Sequence, residues 1–236
     1  GSADAMNFIG LMYEKSQATD TNYQQAMEWY QKAAHAGSTA AISNIGWMYD
    51  KGKGVSEDDQ QAIEWYQKAA NAGNADAAYN MGWMYHYGEG VDTNYQKAME
   101  WYLKAAKAEN AEAMNNIGWM YEKGEGVSVD YIMAMVWYRR AAELGISDAV
   151  FNVGWMHEKG RGLVLDYKKA MRWYQKAAKS GNAHALNSIG WLYDKGLGVN
   201  EDNVKAMEWY QKAAAAGDGD AVYNIGFLYA NEPGSI

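Results

Sequence analysis

Apolar residues return every three to four positions in blocks of about thirteen, and polar, glycine-containing stretches separate the blocks. Residues three and four apart share one side of a helix, so this period predicts helices with one buried face. Residues 75–87 and 95–107 illustrate it. Ala78, Met81, Gly82 and Tyr85 share a face in the first. In the second, Ala98, Met99, Trp101, Tyr102, Ala105 and Ala106 make a wider stripe, which suits burial against both a partner helix and the next unit. Between them Gly88-Glu89-Gly90-Val91 breaks the period, as glycine does where φ must turn positive.

The blocks repeat. Trp-Tyr pairs begin at Trp29, Trp65, Trp101, Trp137, Trp173 and Trp209, always 36 residues apart. A glycine in each first helix keeps the same step at Gly10, Gly46, Gly82, Gly118, Gly154, Gly190 and Gly226. Six units follow, 3–38, 39–74, 75–110, 111–146, 147–182 and 183–218, with a partial seventh over 219–236. One helix pair cannot bury its own core, whereas stacked pairs can. No linker interrupts the series, so residues 1–236 read as one all-α solenoid domain.

The pattern Ala-x-x-x-Ile-Gly-x-x-Tyr-x-x-Gly-x-Gly-Val followed by Lys-Ala-Met-x-Trp-Tyr-x-Lys-Ala-Ala-x-x-Gly, clearest over residues 189–217, resembles the Sel1-like repeat (SLR) family, a relative of the tetratricopeptide repeat. The resemblance spans essentially the whole chain. It implies a right-handed superhelical α/α solenoid of 36-residue helix-turn-helix repeats and an adaptor role, and the regularity of the repeats resembles bacterial members. Unit one departs from the pattern, with Lys15-Ser16-Gln17-Ala18 in place of Gly-x-Gly.

A helical wheel of the first helices puts the core on one half and leaves a polar half, which tetratricopeptide-like geometry would make a concave groove. Two rows on that half need explaining. The ninth position of each first helix holds Trp47, Trp83, Trp119, Trp155 and Trp191, continued by Phe227. The sixth holds Asn44, Asn80, Asn116, Asn152 and Asn224. Residues at i and i+3 are neighbours, and Tyr79 and Phe151 flank the rows. An asparagine carries donor and acceptor, matching the backbone of an extended peptide. A tryptophan face takes a lysine or arginine cation, which carboxylates at the twelfth position (Glu14, Asp50, Glu122, Glu158, Asp194) would favour. The partner-binding candidates are therefore Asn44, Trp47, Tyr79, Asn80, Trp83, Asn116, Trp119, Phe151, Asn152, Trp155 and Trp191. An alternative stays open: the tryptophans pack between repeats and the asparagines bond the adjacent unit. The Trp-Tyr pairs of the second helices read as core.

Charge and chemistry narrow the partner. Twenty-one Lys and Arg against 29 Asp and Glu give a net charge of −8, which argues against nucleic acid. No run of about 18 apolar residues exists, so no membrane insertion is expected. Cysteine is absent, so thiolate and Cys–metal chemistry are excluded. His35, His86, His157 and His184 form no i, i+4 pair. His157 reads as a core-edge substitution and His86 as a solvated residue. No metal, cofactor or catalytic constellation is expected, and the Gly-x-Gly segments read as turns. The expected function is a non-catalytic scaffold that grips an extended or loop segment of a protein, with basic residues favoured. The alternatives are an immunity or inhibitor protein that neutralises a toxin, and a glycan-binding module. The helix over 219–230 offers a surface for homo-oligomerisation. Gly1-Ser2 looks like a cloning scar, and periplasmic, secreted and cytoplasmic locations all stay open.

Overall fold

A computed structural model describes residues 2–16 and 20–231. The segment replacing Gly-x-Gly in unit one runs past residue 16 and so lies partly outside the described residues. Among those residues the chain is helical, with no strand. It forms two compact units, Gly1–Met120 with Gly124–Ser128, and Tyr121–Lys123 with Val129–Ile236. The first contains α1 (Ala3–Lys15), α2 (Asp20–His35), α3 (Thr39–Asp50), α4 (Asp59–Asn71), α5 (Ala75–Tyr87), α6 (Tyr95–Lys107) and most of α7 (Ala111–Lys123). The second contains α8 (Tyr131–Glu143), α9 (Ser147–Lys159), α10 (Tyr167–Ala178), α11 (Ala183–Asp194), α12 (Asn203–Ala215) and α13 (Gly219–Asn231).

Short polar residues start the helices. Asp58, Asn94, Asp166 and Asp202 each accept the backbone N–H three residues on, at 2.9–3.0 Å. Ser38, Asn74, Asn110 and Asn182 do the same for first helices. Each cap satisfies a donor that the helix leaves free. Gly88, Gly124 and Gly160 end α5, α7 and α9 in the left-handed conformation, so the Gly-x-Gly segments are turns.

The tyrosines of the Trp-Tyr pairs are the centre of the core. Tyr30, Tyr66, Tyr102, Tyr138, Tyr174 and Tyr210 are all fully buried. Their rings explain the glycines inside the first helices. A Cβ on Gly46 would stand 2.8 Å from the Tyr66 ring, and one on Gly190 would stand 2.6 Å from Tyr210. The glycine is a contact surface, which lets one helix backbone lie on the neighbouring ring.

The tryptophans of those pairs correct the sequence expectation. Trp29, Trp65, Trp101, Trp137, Trp173 and Trp209 are only half-buried. A cation one helical turn later covers each, from Lys68 at 4.5 Å over Trp65 to Lys176 at 5.2 Å over Trp173. Each indole closes the edge of the core and wears a charged stem outside it.

Candidate functional site

In the first unit, α3, α5 and α7 bring Asn44, Trp47, Tyr79, Asn80, Trp83, Asn116 and Trp119 to corresponding positions of consecutive repeats. In the second, α9 and α11 carry Phe151, Asn152, Trp155 and Trp191, and α13 continues with Phe227. The 36-residue spacing sets this register, and a side-chain cap fixes the start of α3, α5, α7, α11 and α13, whereas α9 begins after Ile146 without one.

The asparagine row contributes bonds between repeats. Asn44 Nδ2 donates to Asn7 Oδ1 at 3.0 Å, and Asn224 Nδ2 donates to Asn187 Oδ1 at 2.9 Å. Both link a sixth position to the fifth position of the preceding repeat. Asn80 faces the Tyr66 hydroxyl, and Asn116 faces those of Tyr79 and Tyr102. Asn152 is half-buried on α9.

The tryptophan row is uneven. Trp47 packs against the buried cluster of Ala26, Met27 and Tyr30. Trp83 donates its indole N–H to Glu89 Oε1 at 3.2 Å, and its ring lies 4.2 Å from that of Tyr87 and 6.3 Å from that of Tyr79. Trp119 is 41 % exposed, the most open indole of the row. In the second unit the protein's own cations sit on the row, with Arg161 4.2 Å from Trp155, Lys159 5.6 Å from Trp191 and Lys195 5.4 Å from Phe227. Phe151 stacks on Tyr174 at 5.4 Å.

The twelfth-position carboxylates do not lie on a solvated face. Glu122 and Glu158 are buried, and each accepts the hydroxyl of the core tyrosine sixteen residues later. Tyr138 donates to Glu122 at 3.0 Å, Tyr174 to Glu158 at 2.7 Å, Tyr66 to Asp50 at 3.1 Å and Tyr30 to Glu14 at 2.5 Å. Adjacent lysines pair with these acids, Lys51 with Asp50, Lys123 with Glu122, Lys159 with Glu158 and Lys195 with Asp194. Sequence reasoning missed this partnership. Its signal was the constant sixteen-residue spacing from acid to tyrosine. Burial first, then the neighbouring carboxylate, holds Tyr66, Tyr138 and Tyr174 far above the ordinary tyrosine range. Glu122→Ala would leave the buried Tyr138 hydroxyl and the Arg161 and Lys123 cations without their shared acceptor. We expect a loss of about 1–3 kcal/mol in urea unfolding.

Repeat three breaks the acid–lysine pattern with His86 and Tyr87. His86 is buried, not solvated. Its Nε2 lies 2.9 Å from Glu125 Oε2 and its Nδ1 lies 3.4 Å from the Tyr102 hydroxyl. Tyr87 stacks on it at 4.6 Å with planes 11° apart. His157 is buried as expected, and burial first, then Lys169 and Arg139, holds it below the ordinary histidine range. Among the described residues no cluster of three or more His, Asp or Glu could hold a metal ion, and no helix is long and apolar enough to cross a membrane.

The family model described as the Sel1 repeat matches residues 3–38, 39–74, 75–110, 111–146, 147–182 and 183–218. A Sel1 repeat protein from Oxalobacter formigenes is 38% identical with a TM-score of 0.84, covering 91% of this chain and 88% of that one. A protective antigen present in uropathogenic Escherichia coli strains, which displays an SLR fold, is 33% identical with a TM-score of 0.84 and covers 98% of this chain. The present chain spans 50% of that antigen's length. An immunity protein from Pseudomonas aeruginosa shares the fold, with 22% identity and a TM-score of 0.57 over 98% of this chain and 88% of its own. No curated protein matches the chain.

Proposed function

We propose, from the premise that this chain belongs to the Sel1 repeat family, that it is a non-catalytic interaction scaffold whose Asn/Trp face holds an extended or loop segment of a protein partner. Sel1 repeat proteins typically mediate protein–protein interactions and are generally not enzymes. The observation that carries the finer reading is an indole row left half-exposed at the same position of consecutive repeats, opening to 41 % at Trp119. Exposed aromatic surface arranged in register marks interaction sites. The asparagines support it, because a bond such as Asn44–Asn7 uses one amide donor and leaves a second donor and a carbonyl. A partner's main chain fits those groups and its side chains fit the indoles.

The test is capture from source-cell lysate by the wild type and by the triple Trp83/Trp119/Trp155→Ala variant, with circular dichroism to show that both are folded. The proposal expects one specific protein to be retained by the wild type and lost from the variant. Equal recovery on both would overturn it. A second reading, neutralisation of a toxin, draws on the fold shared with the Pseudomonas aeruginosa immunity protein. A tight partner that persists on the triple variant would favour that reading. Glycan stacking on the indoles would hold its strength in high salt, whereas a basic protein segment would weaken.

A further inference from the structure

Exposed positions of the second helices repeat a pair of opposite charges. Glu28 and Lys32, Glu64 and Lys68, Glu100 and Lys104, and Glu208 and Lys212 stand four residues apart, which makes each pair neighbours on one helix face. In α8 the register holds Val136 and Arg140. In α10 it holds two cations, Arg172 and Lys176. Lys168 lies one turn before them and Lys179 one turn after, and all four are exposed. Residues 167–179 carry five cations and no acid, in a chain of net charge −8. Like charges at this spacing oppose the helix that bears them, a cost that the Glu–Lys repeats avoid.

These cations share a groove. Arg172, Gln175, Lys176, Ala178 and Lys179 of α10 line it together with Trp209 of α12, all within the second unit, and its volume is about 560 Å³. Three cations and no carboxylate form the lining. Lys212 lies 4.5 Å from the Trp209 ring and adds positive charge at that wall. Among the described residues Arg172, Lys176 and Lys179 form no ion pair, and the ion pair of α10 joins Lys169 to Asp166 at 3.4 Å. The same register one to three repeats earlier is balanced: Glu64, Gln67, Lys68 and Asn71 precede Trp101 there.

We propose that this groove is a second interaction surface, which takes the carboxylate side chains of a short acidic segment of a protein partner. Arg172 offers a planar fork that fits a carboxylate with two parallel hydrogen bonds. Lys176 and Lys179 supply charge beside it, and Trp209 with Ala178 gives an apolar wall for the segment's carbon chains. A long polyanion such as nucleic acid would meet the net negative charge beyond this one helix, whereas a short acidic segment meets the groove alone. The surface is separate from the Asn/Trp face, and none of Trp83, Trp119 and Trp155 lines it.

The probe is the peptide acetyl-Gly-Glu-Glu-Gly-Glu-Glu-Gly-amide, compared with its glutamine counterpart and with inorganic phosphate at equal ionic strength. Each is titrated into the whole chain while indole N–H resonances are followed by NMR. The expected result is saturable movement of the Trp209 signal at millimolar glutamate peptide, none with the glutamine peptide, and no movement at Trp101. Phosphate should need a higher concentration than the peptide, because it makes no use of the apolar wall. Arg172→Glu restores the register of Glu64 and Glu208 and abolishes the response. Lys179→Ala, whose register already accepts Ala215, weakens the response about threefold and keeps the test decisive if Arg172→Glu fails to fold. Equal shifts with the glutamine peptide, equal shifts at Trp101, or an unchanged response in a folded variant would overturn the site. Phosphate as effective as the peptide would make the groove a small-anion site and overturn the assignment to a protein segment.

Discussion

Raising the pH above 10 unfolds this chain, in a transition steeper than exposed tyrosines alone would give. The six core tyrosines are fully buried, and each is held above its ordinary range, chiefly by burial. Five of them donate to a carboxylate, which would face a phenolate with like charge. A folded-state pKa above the unfolded one gives stability that is complete below about pH 10 and is lost as the pH climbs toward the folded value. Each such tyrosine weakens folding by about 1.4 kcal/mol per pH unit in that window, so the three in one unit weaken it by about 4. Domains are stable by about 5–15 kcal/mol, so about one to four units above pH 10 exhaust that margin. Helicity at 222 nm and tyrosinate absorbance at 295 nm should move together in the final phase, after the exposed tyrosines have ionised. Complete ionisation of all tyrosines near pH 10 with helicity intact would contradict the buried-hydroxyl account.

The second large effect is a change of sign at one repeated position. Gly190→Ala drives a methyl to 2.6 Å from the Tyr210 ring, which has no exposed edge to move toward. The displaced ring also strains the hydroxyl contact with Asp194. We expect about 1–3 kcal/mol of destabilisation, read as a lower urea midpoint. Gly226 holds the same register in α13, but nothing lies within 4 Å of its added Cβ. There the helix propensity of alanine dominates, and Gly226→Ala should gain up to about 1 kcal/mol. A penalty at both glycines, or at neither, would mean that the ring contact is not what selects glycine.

Much of this architecture was legible because it is periodic. The step from Trp29 to Trp65 and onward placed the helix pairs, and Gly88-Glu89-Gly90 placed a turn where the structure has one. The polar half of the wheel was harder. A carboxylate such as Glu158 looks solvated on a single helix, and only the arrival of Tyr174 from α10 turns it into a buried acceptor. Trp137 looks like core beside Tyr138, yet Arg140 caps it at the surface. His86 was misplaced for the same reason, since its partners Tyr102 and Glu125 come from a different helix and the following repeat's turn. Wheel positions assign faces; they do not reveal polar pairs made between helices. The asparagine rows and the alternative that they bond the adjacent unit were both visible, but the actual partner, Asn7 for Asn44, lies 37 residues away.

The central claim is that the indole face, and Trp119 at its most open point, carries partner binding. The most direct measurement is the affinity of the captured partner for the wild type and for Trp119→Ala at matched helicity. An exposed aromatic anchor predicts a loss of at least about tenfold, the scale of an interface hot spot. An affinity unchanged within twofold would contradict the account and assign the tryptophan row to packing between repeats.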